Sequence, residues 1–248
     1  MQALVDGVTA QLRALPPPPR GAHRELELRV GVLRRDRFCA GVPRAMFLNT
    51  LTRLRDPWRS RKRKLGVQVV TEQSVDYHND HGRLTVLPDG TERHVRKRRV
   101  WSSDLATARG ALQLPFVVRL SVCDEMPVEG VDFGEDCQAL RRKDRVSFKY
   151  ANSHGHRWSY DLTVVRGDVD DEPHPERDID DDVHAPCPDD QGAVSYEVEL
   201  ELEDWPTGSA MAYTVESSML KVLDLIEFME PDQHRASKAR LLPPGGQP

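Results

Sequence analysis

The chain has 248 residues, of which 35 are basic and 40 acidic, so its formal net charge at pH 7 is −5. Charged residues make up 30% and hydrophobic residues 38% of the composition, which is typical of a globular protein and argues against a disordered one. No apolar run reaches the ~20 residues of a membrane-spanning helix, so no membrane partner is expected. The four cysteines include no C-x-x-C pair, so no zinc ribbon is predicted.

The composition divides the chain into three regions. Residues 1–20 are predicted to form a short amphipathic helix followed by a stiff spacer at Pro16–Pro19. Residues 21–230 are predicted to form one folded domain, and residues 231–248 a disordered tail.

Period-two alternation predicts eight strands in residues 21–230. They lie near residues 24–33, 66–77, 82–87, 92–101, 115–125, 141–150, 157–165 and 193–203. Apolar residues at helical spacing predict one helix over residues 42–56, ended by Pro57, and another over residues 208–230, with Ser209 as its N-cap. The predicted fold class is therefore mainly β (α+β), with flanking helices.

Two of the predicted strands place carboxylates on one face. In "SYEVELELEDW" the glutamates alternate with apolar residues, and "HRELELRVG" repeats the pattern near the start of the domain. Because successive side chains of a strand point to opposite faces, each set shares one side. A single strand of this kind is most simply an amphipathic strand with a wet face. Two of them also fit an enclosed polar cavity. The residues are Glu197, Glu199, Glu201 and Glu203, and then Glu25, Glu27 and Arg29.

Other strands show the same pattern with the opposite sign. The run "ALRRKDRVSFKY" alternates three cations, and further strands add basic residues and a single aspartate. An eight-stranded antiparallel sheet can close into a barrel with one face inside, so acidic and basic walls would then face each other. Such carboxylates suit Mg²⁺ or Mn²⁺, and such cations suit a polyanion. The basic residues and the aspartate are Arg141, Lys143, Arg145, Arg119, Lys97, Arg99 and Asp161.

These motifs together resemble those of a known enzyme family. "ELELR" and "YEVELELE" resemble the two metal-binding glutamate motifs of the triphosphate tunnel metalloenzymes, more narrowly the fungal and protozoal type of metal-dependent mRNA-capping RNA 5′-triphosphatase. The resemblance extends to "RLSVCDEMPV", "RRKDRVS" and "WSYDLTVV". It covers about residues 23 to 205, in the family's order. A single E-x-E is a weak signal, whereas the ordered set is strong.

The resemblance implies a closed eight-stranded antiparallel β-barrel tunnel, with residues 21–230 as its catalytic domain. It implies Mn²⁺ or Mg²⁺ held by Glu25, Glu27 and a late glutamate. Glu201 is our choice, although a slip of two residues would make Glu203 the ligand. Glu197 and Glu199 would bind ordered water or neighbouring cations, and Asp161 would orient one of the cations. The phosphates would be gripped by Arg119, Arg141, Lys143 and Arg145, with Arg99 as a looser match that shares its phase with Lys97.

The implied reaction is hydrolysis of the γ-phosphate of 5′-triphosphate-ended RNA, the first step of mRNA capping. A tunnel hydrolase of thiamine triphosphate, tripolyphosphate or nucleotides is an alternative with the same fold. A nucleic-acid-binding module without catalysis is another, for which "RSRKRKLG" at 59–66 supplies a basic patch. Expected partners are the RNA substrate and, through the pathway, a guanylyltransferase. Localisation to the nucleus is expected, and the sequence does not predict an oligomeric state.

Overall fold

The structure is a computed structural model of the chain, and it describes residues 2–34, 37–56, 66–105, 116–129, 137–152, 155–167, 194–206, 208 and 210–229. The predicted tail at 231–248, the predicted N-cap at Ser209 and most of the basic run at 59–66 lie outside the described residues. No helix among the described residues has the length and hydrophobicity of a membrane-spanning segment.

In the described ranges, nine antiparallel strands form a single sheet, and eight of them close into a barrel. The barrel order is β1-β6-β5-β4-β3-β7-β8-β9, and pairing of β9 with β1 completes the circle. All eight predicted strands are confirmed, and so is the closed barrel. The strands are β1 His23–Arg34, β2 Arg37–Ala40, β3 Gln68–Asn79, β4 Gly82–Val86, β5 Glu92–Asp104, β6 Val117–Pro127, β7 Ala139–Ala151, β8 Arg157–Gly167 and β9 Val194–Leu202.

Three helices in the described part of the chain flank the barrel: α1 Gln2–Arg13, α2 Arg44–Arg55 and α3 Ala210–Met229. Both α1 and α2 pack against α3. The apolar side of α3 joins the same hydrophobic core as the outward-facing residues of β1, β8 and β9, including Leu28, Tyr160 and Leu200. Burying each such side chain contributes about 1.5–3 kcal/mol, so helix packing holds this side of the barrel in place.

Both faces of β1 are buried, and this explains its pattern. Leu26 and Leu28 are 0% exposed and belong to the core, whereas Glu25 and Glu27, each 5% exposed, face the barrel interior. An amphipathic strand with a wet outer face would leave its carboxylates open to bulk solvent. The alternating charge of this strand therefore belongs to an enclosed polar lumen, which is the geometry that an eight-stranded barrel provides.

The ninth strand, β2, was not among the predicted strands. It has four residues, too few for alternation to show, and it pairs with the last residues of β1. Gly31 makes this pairing possible, because a Cβ there would collide with the carbonyl oxygen of Cys39 and with the ring of Phe38. Close approach of a second backbone is thus the reason for glycine at this position.

Candidate active site

We call the inward-facing carboxylates of β1 and β9 the acidic wall: Glu25, Glu27, Glu197, Glu199 and Glu201. The two strands are neighbours in the barrel, and the pairing register sets Glu27 opposite Glu201 and Arg29 opposite Glu199. On the other side of β9, Glu199 lies opposite Asp161 of β8. The acidic residues that the sequence singled out are therefore brought together across two strand pairs.

The acidic wall carries more negative charge than its neighbours balance. Burial raises the pKa of Glu201 well above its ordinary value, and the charges of Glu25 and Asp161 add to the rise. Burial, together with Glu27 and Glu197, raises the pKa of Glu199 to about 8 against the pull of Arg145. Such shifts mean that a further positive charge at this wall would be stabilising.

Glu27 behaves differently because two cations adjoin it. Burial alone would raise its pKa, but the charges of Lys97 and Arg29 outweigh burial and lower the pKa to about 2. The Lys97 ammonium contacts the Glu25 carboxylate and lies 3.4 Å from Oε2 of Glu27 and 3.9 Å from Oε1 of Glu125. Lys97 thus bridges the two glutamates of β1 that the family resemblance assigns to a metal.

The donor set fits a divalent cation. Oxygens of Glu25 and Glu27 lie within 4.8 Å of each other and of the Cys123 sulfur. Carboxylate oxygens are the ligands that Mg²⁺ and Mn²⁺ prefer. The hydroxyl of Ser121, on β6 opposite Glu27, is fully buried and has no hydrogen-bond partner among the described residues, so it could bind water or a ligand next to the acidic wall.

We call the inward-facing cations of β7 the basic wall: Arg141, Lys143 and Arg145. The Lys143 ammonium lies 2.7 Å from Oδ2 of Asp76. The Arg145 guanidinium lies 3.6 Å from the Asp161 carboxylate and 3.8 Å from that of Glu199, so it reaches the acidic wall.

These contacts hold the basic wall in its charged form to different degrees. The charges of Asp161 and Glu199 overcome the effect of burial and raise the pKa of Arg145. Burial lowers the pKa of Lys143 in spite of Asp76, and it lowers that of Arg141 in spite of Glu197. Buried cations without full compensation favour an incoming anion.

Two further predicted cations line the lumen from β5 and β6. Arg119 forms a bidentate pair with Asp104, with N–O distances of 2.7 and 3.0 Å, and its guanidinium lies 4.4 Å from the centre of the Phe38 ring. Arg99 is partly buried, and its Nε has no hydrogen-bond partner among the described residues. Burial and the like charges of Arg29 and Arg119 lower the pKa of Arg99.

The two candidates for the late glutamate ligand lie in different surroundings. Glu201 is directly opposite Glu27. Glu203 follows the last residue of β9, accepts a 2.7 Å hydrogen bond from Lys149 and lies 3.7 Å from Arg157. The geometry therefore favours Glu201, because Glu203 already has two cationic partners of its own.

Several residues that complete the lumen were not predicted from the sequence as site residues: Asp76, Asp104, Glu125, Cys123 and Phe38. Asp76 was detectable, since it lies two residues from Ser74 and four from Glu72 on one predicted strand face. Asp104 was not, because β5 continues past the predicted end and a bulge between Arg99 and Trp101 changes its phase.

Comparison with solved structures gives matches over nearly the whole chain. The structure of the Pct1 RNA triphosphatase of S. pombe matches with a TM-score of 0.64 and 18% identity, covering 90% of this chain and 91% of that one. The structure of the same enzyme in complex with the Spt5 CTD matches with a TM-score of 0.59 and 16% identity, covering 90% of each. No protein-family model and no curated protein matches the sequence. At these identities the likeness shows the fold, a closed tunnel barrel.

Proposed function

We propose that this chain hydrolyses the γ-phosphate of RNA with a 5′-triphosphate end, leaving a 5′-diphosphate end, in a reaction that depends on a divalent metal. The observation that carries the proposal is the contact between the two walls: Arg145 of the basic wall lies 3.8 Å from Glu199 of the acidic wall, and 3.6 Å from Asp161 on the strand between them. A triphosphate held between cations and a metal-bearing carboxylate cluster would fit this arrangement. The fold shared with an RNA triphosphatase supports it.

Glu25, Glu27 and Glu201 would hold the metal. The chemistry that Mn²⁺ or Mg²⁺ supplies when bound is Lewis-acid polarisation of the γ-phosphoryl group. Lys97 contacts two of the three glutamates, so its ammonium has to shift when they take another cation. Glu197 and Glu199 would bind ordered water beside the phosphate or the neighbouring cations.

The basic wall would stabilise the charge that develops on the γ-phosphate oxygens, the contribution expected to dominate phosphoryl transfer. An arginine fork matches two phosphate oxygens, whereas lysine acts as a point charge. Asp161 orients the Arg145 fork, and Asp76 anchors Lys143. Arg119, Arg99 and Arg141 would contact the remaining phosphate oxygens.

The decisive experiment measures release of terminal phosphate from RNA labelled at its γ-phosphate, with and without Mg²⁺ or Mn²⁺. We expect release only with metal, and none from Glu27→Gln, a control of nearly the same size that excludes a contaminating phosphatase. Metal-independent release, or equal release by the variant, would contradict the assignment. Parallel assays with tripolyphosphate, thiamine triphosphate and nucleotides decide the substrate class, and faster turnover of these would favour the small-molecule alternative.

If the protein acts in capping, a pathway partner and a cellular location follow as further proposals. A guanylyltransferase is the expected pathway partner, because a 5′-diphosphate RNA end is the acceptor for guanylyl transfer. A coupled assay tests this: RNA treated with this chain should become a substrate for guanylylation, whereas RNA treated with Glu27→Gln should not. We also propose that the protein acts in the nucleus, which imaging of the tagged full-length chain can test.

A further inference from the structure

A cysteine lies among the inward-facing residues next to the acidic wall. Cys123 of β6 is 0% exposed and is set opposite Glu25 of β1 on one side and Arg99 of β5 on the other. Its side chain therefore points into the lumen with these charged residues, and not into the apolar core formed by its neighbours Val122 and Leu120. A buried cysteine usually serves as a small apolar residue, and this one has polar surroundings instead.

The thiol lies within ligand distance of the two glutamates. The Cys123 sulfur and one oxygen from each of Glu25 and Glu27 are all within 4.8 Å of one another. Two ligands that each lie about 2.0–2.3 Å from one metal ion are separated by at most about 4.6 Å. Small side-chain rotations can therefore bring all three groups onto a single ion.

A second observation points to a ligand at the same place. Ser121 precedes Cys123 by two residues on β6, so its hydroxyl faces the same lumen, and it lies opposite Glu27. This hydroxyl is 0% exposed and has no hydrogen-bond partner among the described residues. A buried polar group of this kind is satisfied when water or another ligand occupies the adjacent space.

We propose that Glu25, Glu27 and Cys123 form a mixed oxygen and sulfur centre that binds a thiophilic divalent cation, such as Zn²⁺, Cd²⁺ or Co²⁺, more tightly than Mg²⁺. Thiolate ligands select such ions, whereas carboxylates alone favour hard ones. The thiol proton leaves to solvent when the metal–sulfur bond forms, and the Lys97 ammonium gives up its contact with the carboxylates. The inference deepens the proposed function, since it concerns the same centre, and it implies that a thiophilic ion would compete with the activating metal.

Co²⁺ titration of the full-length protein tests the sulfur ligand directly. We expect a thiolate-to-Co²⁺ charge-transfer absorption that saturates at one ion per chain. The absorption should persist in Cys137→Ser, whose thiol is exposed, and should be lost in Cys123→Ser. Cys123→Ser should weaken Cd²⁺ binding by about tenfold or more while leaving Mg²⁺ binding nearly unchanged. Absorption that survives in Cys123→Ser, or Co²⁺ binding without any such absorption, would overturn the proposal.

A measurement on the unaltered cysteine guards against misfolding of the variant. The ¹¹³Cd resonance of the wild-type protein should lie downfield of the range for sites with oxygen ligands only, and Glu25→Gln should remove it. A resonance inside the oxygen-only range refutes the sulfur ligand. If the resonance lies in the oxygen-only range but phosphate release still depends on metal, the proposed function stands and only the cysteine inference fails. A sulfur-shifted resonance without phosphate release supports the centre and rejects the proposed function.

Discussion

The acidic and basic walls both face the lumen, yet they are compensated in different ways. Among the described residues, two of the three cations of the basic wall have a carboxylate within 4 Å: Lys143 has Asp76, and Arg145 has Asp161 and Glu199. In the acidic wall, burial and mutual repulsion raise the pKa values of Glu199 and Glu201. Arg145 is therefore held in its charged form without a ligand. Lys143 and Arg141, whose pKa values burial lowers, gain from an added anion, and Glu199 and Glu201 gain from an added cation.

The largest expected effect comes from removing a carboxylate of the acidic wall. Glu27→Ala, Glu25→Ala and Glu201→Ala should each lower kcat by about a hundredfold or more, because each removes a proposed metal ligand. Steady-state phosphate release measures this, and circular dichroism checks that the barrel is intact. Near-wild-type turnover in folded Glu27→Ala would remove the metal assignment.

Glu203→Ala is the matched control for the choice of Glu201 over Glu203 as the late metal ligand. Its carboxylate is held by Lys149 and Arg157, so we expect a much smaller loss of kcat than in Glu201→Ala. If the two variants lose equal activity, or Glu203→Ala loses more, then the late metal ligand has been assigned two residues too early.

A smaller effect is expected when a cation of the basic wall keeps its charge but loses the planar guanidinium group. Arg145→Lys should lower kcat by about tenfold or more, since lysine cannot present two parallel N–H groups to a phosphate. Asp161→Asn should cause a loss of similar kind by releasing the Arg145 fork. Because the two residues act together, the double variant should lose less than the sum of the single losses in free energy. Additive losses would show that Asp161 does not act through Arg145.

Ligand binding should stabilise the two walls together more than either alone. The ligands are Mn²⁺ and tripolyphosphate, each at a hundred times its Kd. The first of them to bind should add about 2.7 kcal/mol to the free energy of unfolding. For a domain of this size, that corresponds to a rise in Tm of about 5–10 °C. Differential scanning fluorimetry measures the shift. A Tm that responds to neither ligand would count against an enclosed site.

The smallest expected effect concerns Lys221, a buried lysine of α3 that lies outside the lumen. Burial lowers the pKa of Lys221 from 10.5 to about 8, against the pull of Asp224. Below pH 8 both the folded and the unfolded protein hold this proton, so the cost of burying the charge is fully present. Between pH 8 and 10.5 the unfolded state binds more protons, so the free energy of unfolding should rise with pH.

Urea denaturation at pH 8 and pH 10 checks this prediction. Lys221→Met should lack the part of the rise that comes from Lys221. Lys149→Met is a matched control that should retain the rise, because the hydrogen bond to Glu203 raises the pKa of Lys149 and moves its titration above this window. An identical pH dependence in wild type and Lys221→Met would show that Lys221 is not destabilised by burial.

Period-two alternation was sufficient to predict the eight barrel strands and the inward phase of the glutamates, because both faces of each strand have distinct surroundings. It could not find Asp104, whose phase depends on the bulge after Arg99, or Phe38, which lies on a strand of only four residues. It also could not separate the roles of Lys97 and Arg99, since both share one phase. Which of them contacts Glu25 depends on how the barrel closes, and that is a long-range property.

Closure of the barrel also has a consequence for how the protein matures. Glu27 and Glu201 become neighbours only when β9 pairs with β1, so residues from opposite ends of the domain have to meet. Contacts of such high sequence separation form slowly and late in folding. During synthesis, the acidic wall therefore cannot assemble until β9 has left the ribosome. If the protein hydrolyses triphosphates as proposed, the time at which phosphate release appears during refolding would report when β9 pairs with β1.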